Sequence, residues 1–495
     1  MSAGPRALVL GSGIAGLTAA LELARRGVQV EVIEAAPIPG GRTSSFNDAQ
    51  GREVDTGLHV VADHYVNLID VLASVGASRR LIWVEKHTYL RDGHEPMSWY
   101  FSPYQPPFHL LRPVREMPLR LAERAALGFV AVELASYSQA GLEAFDGMTY
   151  RAWHDRHRIG EGFTLELAEA AADAATFLTV EVASARAVLS WMKYLMRHRK
   201  AGDVGLFAGT LHDCLVAPLV AAIEALGGRV RTNTAVTGLR VQGRQVTGVE
   251  VGPATAGGPV NRADGVVTGL GSAREVLEAE IVVSALPVQA LRAVLTPEQA
   301  REAWLTEAMG LTTTPAMSAI VWFDRFIEPI PEGAPLCTGC AFRDLIDLSI
   351  LGRAPADAKG SVYQFVITRA DQRLHDEDDK VVRDVVADLQ RVWPGARDAR
   401  PIDAAVERIG SAMFAAVPGA HALRPGARTG LGGLFLAGDW TRHEANASME
   451  GAAISGRRAA SEVLVSLGDL PIKILEPPDP TVVPVLQRLR QRLTA

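Results

Sequence analysis

ALVLGSGIAGLTAALELARRGVQVEVIEAAPIPGGR, residues 7 to 42, decides the fold. Ala7 to Leu10 is a short apolar run between turn residues, suited to a buried parallel strand, and Gly11-Ser12-Gly13-Ile14-Ala15-Gly16 opens a helix behind it. Gly11 permits the tight turn, Gly13 lets backbone approach a pyrophosphate, and Gly16 lets the helix lie close to the sheet. The free N–H groups and positive dipole end of that helix complement phosphate charge. Leu17, Ala20, Leu21, Leu23 and Ala24 form the buried side, Gly27 ends the helix, and Gln29 to Ile33 is the next strand. Glu34 follows at its carboxyl end, where an acid accepts hydrogen bonds from both ribose hydroxyls and repels a 2′-phosphate. NAD and FAD both satisfy this unit. Gly40-Gly41-Arg42 favours the longer cofactor, whose phosphate and flavin extend past it; the alternative is a turn ending in a solvated arginine.

At 495 residues the chain exceeds what one core usually holds, so two interleaved lobes are expected. Its 50 basic and 56 acidic residues give a net charge of −6, which argues against nucleic acid as a partner. Three cysteines cannot make a disulfide framework, so a reducing compartment is expected. Cys337-Thr338-Gly339-Cys340 is a CxxC with no second Cys or His pair nearby and no thioredoxin-like strand before it, so neither a redox nor a metal role is assigned. The apolar N-terminus is the nucleotide strand itself rather than a secretory signal, and no run of 18 apolar residues would span a bilayer. The expected location is cytoplasmic, with a peripheral contact on the inner face of the cell membrane as a candidate.

The chain divides into 1–88, the first part of a nucleotide-binding domain; 89–209, a helical substrate- or membrane-facing lobe; and 210–299, the second nucleotide-binding part. Then come 300–425, mixed strands and helices of a substrate domain; 426–468, the third nucleotide-binding part; and 469–495, a Pro-rich linker with an amphipathic helix. The fold class is α/β: a doubly wound, Rossmann-like domain with an interleaved α+β substrate domain. Val236 to Gln242 and Gln245 to Val251 flank Gly243-Arg244 as a hairpin, and Gly252 to Gly271 is a loop. Glu280 to Pro287 is a further core strand, and Leu434-Phe435-Leu436-Ala437-Gly438-Asp439-Trp440-Thr441 gives one more ending in Gly-Asp, where an acid reaches ribityl or pyrophosphate groups. Ser448-Met449-Glu450 starts a helix whose N-terminus can stabilise negative charge on a reduced flavin.

GSGIAGL at 11–17, GGR at 40–42, EVDTGLH at 53–59, AEIVVSALP at 279–287, VPGAHALRP at 417–425 and LFLAGDWT with ASMEGAAISGR through 457 resemble the flavin-containing amine oxidase superfamily. Within it they are most similar to plant and cyanobacterial phytoene and ζ-carotene desaturases, then to hydroxysqualene dehydroxylases. The resemblance covers nearly all of the FAD lobe and is thin over 90–200 and 300–400. It implies non-covalent FAD, an apolar tunnel for a polyprenoid and electron transfer to a membrane quinone. The implied FAD contacts are Gly11, Gly13, Ala15, Gly16, Glu34, Ala35, Arg42, Leu58, His59, Asp439 and Met449, and Val236 and Gly438 complete the expected set. One departure is Cys214, where plant-type enzymes carry an arginine.

No general base is assigned. His59 is a flavin-edge candidate or a core histidine, and Glu450 a candidate base or a first-turn carboxylate. Residues 100–127, aromatic and Pro-rich, then carrying Arg112, Arg115, Arg120 and Arg124 among leucines, are either a membrane-resting surface or a helix with solvated arginines. Glu166, Glu169 and Asp173 have surface spacing; Trp191, Tyr194, Leu195 and Met196 line either a cavity or the core. The C-terminal helix could dock on the FAD lobe, mediate homo-oligomer formation or touch lipid. Rival functions are a flavin amine oxidase acting on a small amine, a carotene cis-trans isomerase and a non-catalytic flavoprotein.

Overall fold

The computed structural model describes residues 4–48, 50–100, 111–117, 119–159, 162–195, 200, 202–254, 273–330, 335–354 and 358–477. The aromatic stretch 101–110, Met196, the loop from 255, and the C-terminal helix lie outside the described residues.

Five short strands build the nucleotide-binding sheet, in the order Arg229–Arg231, Gln29–Ile33, Arg6–Leu10, Ile281–Ser284, Leu434–Leu436, all parallel. Ala7–Leu10 and Ile281–Val283 read as unbroken apolar runs because both faces of the sheet are covered there, and Leu8, Val9 and Val282 have no exposed surface; Gln29–Ile33, nearer the edge, alternates with the polar Gln29 and Glu31. Helices Ile14–Ala24 and Met449–Ser466 pack on one face. Their crossing is close enough that a Cβ on Gly456 would stand 2.4 Å from the Ala15 carbonyl oxygen. Arg457 fastens the same helix sideways, donating to Glu22 at 3.0 Å and Asn67 at 3.2 Å and pairing with Asp70.

The substrate region is built on a seven-stranded sheet: Pro401–Phe414, Thr313–Phe323, Val362–Ile367, Asp344–Asp347, Leu336–Thr338, Lys86–Arg91, Met97–Tyr100. The expected boundary at 88/89 therefore falls inside a strand. Lys86–Arg91 pairs in parallel with Leu336–Thr338, so the chain has crossed into the second lobe before residue 88. It returns earlier than expected too: Val204–Phe207 pairs with Val61–Ala62 and Leu81–Val84. The hairpin strands are Thr234–Gln242 and Gln245–Pro253, joined by Glu275–Glu278 in a small sheet of their own.

Between these excursions lie helices Leu121–Ser136, Tyr150–Arg156, Phe163–Thr176 and Ala185–Leu195. Asp173 is not the surface acid its spacing suggests. It is buried, and its carboxylate accepts from Arg369 at 2.6 Å and Thr368 at 3.0 Å, tying the helical lobe to the sheet. His154 is buried against Tyr150 and Trp153, and burial pulls its pKa down to about 4. Protonation is then easier in the unfolded chain, so stability present above the ordinary histidine pKa is lost as pH falls from ~6.5 towards ~4, at most ~1.4 kcal/mol per pH unit. We expect His154→Phe to flatten the fall in Tm between pH 7 and pH 5, measured by thermal unfolding.

The C-terminal stretch up to residue 477 docks on the nucleotide lobe: Leu475 exchanges hydrogen bonds with the Asn67 side chain, and Ile472 N–H donates to Ser461. Among the described residues no helix is long and apolar enough to cross a membrane.

Candidate cofactor and substrate site

The three glycines of the first turn do different jobs. Gly11 has φ of +96°, and its N–H closes onto the Ile33 carbonyl at 2.8 Å. A Cβ on Gly16 would lie 2.0 Å from the Gly11 carbonyl oxygen, which is the close helix–strand approach. Gly13 has φ of −66°, open to any residue, and a Cβ there would meet nothing within 4 Å. Its missing side chain serves the protein in no way of its own and leaves a bare backbone face at a helix N-terminus, as a pyrophosphate requires.

Glu34 is aimed by the same loop. One carboxylate oxygen accepts from the Ser12 N–H at 2.9 Å and hydroxyl at 2.6 Å, the other from the Ala36 N–H at 2.9 Å. Oε2 thus uses both of its lone pairs on Ser12, and Oε1 keeps one for a ribose hydroxyl. From the far end of the chain, Asp439 accepts from Arg42 at 2.6 Å, and Arg42 also donates to the Ala412 carbonyl at 2.7 Å. Gly438 precedes it with φ of +132° and donates its N–H to Ser455 at 2.9 Å. Buried Arg424 holds that turn from behind, donating to the backbone carbonyls of Asp439 at 3.0 Å and His443 at 3.1 Å. Burial lowers its pKa to about 9.

One cavity of about 1020 Å³ joins these groups. Gly11, Gly13, Ala15, Glu34, Ala35, Arg42, Leu58, His59, Val236, Gly438, Asp439 and Met449 all line it; Gly16 does not, consistent with its packing role. Ser448 caps the helix Met449–Ser466 by accepting from Gly451 N–H at 3.0 Å, and that helix start also lines the cavity. The donors, the acid at a strand end and the open glycine fit a dinucleotide with a flavin at its far end. Beyond, the wall turns apolar through Ala174, Phe177, Met317 and Val366. The helical lobe contributes Ala174 and Phe177 there, whereas Trp191, Tyr194 and Leu195 stand outside the lining. Ser12, Tyr65, Phe177 and Arg343 were missed as lining residues. Ser12 was legible in the glycine motif; the other three carry no local signal.

His59 lines the cavity with Nδ1 3.0 Å from the Gly57 carbonyl. Burial lowers its pKa, so the imidazole is neutral, with Nδ1–H donating and Nε2 left as an acceptor. Glu450 does not line the cavity. It is buried on the other side of its helix, accepting from Asn67 N–H at 3.1 Å and side-chain amide at 2.8 Å and from Leu68 N–H at 2.8 Å. It thus caps the helix Val66–Ser74, where the dipole favours a carboxylate. Glu450→Gln should lower stability by roughly 1–3 kcal/mol, as expected for a weakened buried charged hydrogen-bond set. Turnover per bound flavin should stay unchanged, checked by denaturant unfolding beside steady-state assays.

Cys214 is fully buried, with Arg353 nearby pairing to Asp55. Cys337 sits in the substrate-lobe core and burial pushes its thiol well up, away from the thiolate; Cys340 is raised to about 12 for the same reason.

A family model described as flavin containing amine oxidoreductase matches residues 14–464. A probable zeta-carotene desaturase of Synechococcus elongatus is 27% identical over 93% of this chain and 98% of its own length. A 15-cis-phytoene desaturase of Narcissus pseudonarcissus is 24% identical over 93% of this chain and 80% of its own. Among solved structures, an oxidoreductase from Methanosarcina mazei superposes with a TM-score of 0.67 at 18% identity, covering 91% of this chain and 98% of that one.

Proposed function

The chain belongs to the flavin-containing amine oxidoreductase family, and we propose that this FAD-dependent oxidoreductase desaturates a long apolar polyprenoid, a carotene such as phytoene or ζ-carotene. The observation that carries the proposal is the continuity of one cavity from the Glu34 and Asp439 ends to an apolar wall. Bound FAD supplies a two-electron acceptor at N5 for the hydride leaving an allylic carbon.

The residues do the remaining work. Gly13 and the helix behind it hold the pyrophosphate, Glu34 the adenosine ribose, and Asp439, fixed by Arg42 and by the turn that Arg424 braces, the ribityl chain. A hydrocarbon offers no polar handle, so it is held by burial at about 0.8 kcal/mol per CH₂ and by the shape of the walls. The Met449–Ser466 N-terminus favours negative charge next to it. Neutral His59 is the one titratable acceptor proposed to take the neighbouring proton, through Nε2.

Electrons are proposed to leave to a membrane quinone. Exposed apolar residues beside cations support a peripheral contact: Leu121 is 85% exposed and Phe129 46% exposed on one helix, with exposed Arg115 and Arg120 before it. Arg124, by contrast, is used internally, donating to the Val114 and Leu119 carbonyls.

Co-expression with phytoene, ζ-carotene or hydroxysqualene supply tests the substrate. New conjugated double bonds support desaturation; loss of the hydroxyl group from hydroxysqualene would move the assignment to a dehydroxylase. A change of double-bond geometry alone would move it to an isomerase.

A further inference from the structure

A hydrocarbon without a polar handle can slide along an apolar cavity, so the carbon that stands at the flavin has to be fixed by shape, against something that does not move. Phe177 is built as such a point. The helix Phe163–Thr176 ends on it with φ of +59° and ψ of +24°, the left-handed backbone that a helix end normally gives to glycine. A bulky residue there is strained, and such strain persists only where the surroundings over-determine it. Arg158, Asn233 and Arg369 share the sign of φ, but none of them lines the cavity. Phe177 does, with Ala174 on the same helix face one turn before it.

This helix end is held from both lobes. The Phe177 N–H donates to the Asp173 carbonyl at 2.9 Å, and the same carbonyl accepts from Arg343 of the substrate sheet at 3.1 Å. The Arg343 guanidinium carbon lies 4.9 Å from the centroid of the Phe177 ring. From the nucleotide side, the Asn446 side-chain amide donates to the Ala175 carbonyl at 3.2 Å, two residues before Ser448, the cap of the helix Met449–Ser466 that also lines the cavity. Phe177 is half-buried, packed against the core that contains Phe414 and Trp440, and shares one frame with the flavin end. Glycine would serve the backbone better, so the side chain is what the position keeps.

We propose that Phe177 is a specificity-determining residue: its ring is the fixed stop against which an isoprenoid chain comes to rest, and it thereby sets which allylic C–H bond faces the flavin. This rests on the reading of the cavity as a polyprenoid site. Hydride and proton are still lost from adjacent carbons, and the stop selects the pair.

The test uses the FAD-loaded full chain as wild type, Phe177→Gly and Phe177→Trp. NMR of the products reads the double-bond position, and quenching of flavin fluorescence reads the binding of squalene and the longer phytoene. Phe177→Gly suits the backbone and removes the stop, so FAD should bind as in the wild type while the new double bond appears at more than one position. Phe177→Trp adds bulk and should weaken phytoene relative to squalene about 10-fold. If Phe177→Gly does not fold, Phe177→Leu takes its place, and failure of both assigns the residue to the core and overturns the stop. An unchanged single double-bond position in the smaller variant overturns the stop and leaves the desaturase proposal standing. If the wild type converts no polyprenoid, the desaturase proposal falls and the Phe177→Trp binding ratio decides the stop, an unchanged ratio overturning it. No binding of either probe by the wild type overturns both.

Discussion

Gly13→Val should yield a folded protein that purifies without colour, whereas Gly16→Val should not yield a stable FAD lobe. The two glycines are three residues apart in one motif, yet their surroundings are opposite. At Gly13 the backbone is ordinary for an L-residue, with φ of −66°, and a new side chain meets nothing within 4 Å. Its only victim is whatever approaches that backbone from the cavity. FAD affinity should fall at least ~100-fold, about 2.7 kcal/mol, with Tm of the apoprotein shifted by only a few degrees. At Gly16 a Cβ would stand 2.0 Å from a backbone oxygen and 3.2 Å from the Ala285 side chain, and neither the strand nor the turn can yield. Titration with FAD and thermal unfolding of the two variants separate the roles; retained colour in Gly13→Val would remove the pyrophosphate from this loop.

The second large effect is expected at the Arg42–Asp439 pair, which links positions 397 residues apart. Asp439→Ala removes a carboxylate from the cavity and leaves the Arg42 guanidinium donating to the Ala412 carbonyl. A hydrogen bond to a charged group contributes roughly 1.5–3 kcal/mol, so FAD should bind about 10- to 150-fold more weakly. Arg42→Met should do similar harm, and the double variant should cost less than the sum, because each single change leaves the other charge without its partner. Additive losses in a double-mutant cycle would mean that the pair does not act as one clamp. Adding saturating FAD should raise Tm of the wild type more than of either variant.

The nucleotide half is legible in the sequence because its chemistry is local. A short apolar strand, a glycine turn and an acid at the end of the next strand sit within 36 residues, and Gly438-Asp439 repeats the logic of a strand-end acid. The other half depends on partners that spacing cannot reveal. Asp173 has the period of a solvated helix face and is buried only because Arg369 and Thr368 arrive from a strand edge almost two hundred residues later. Glu450 reads as a first-turn acid of its own helix, yet it caps another, because Asn67 and Leu68 end up beneath it. The boundary expected at 88/89 fails for a similar reason: the strand Lys86–Arg91 finds its partner at Leu336–Thr338, and a parallel pairing across so much chain leaves no local mark. Phe177, Arg343 and Tyr65 line the cavity from three different stretches, none with a motif.

The most direct test is anaerobic mixing of the FAD-loaded protein with phytoene or ζ-carotene, followed by absorbance. The cavity assignment predicts that the flavin bleaches in one step as a longer conjugated polyene appears, at a rate that does not respond to added small amines. Bleaching with an amine and none with a carotene would contradict it.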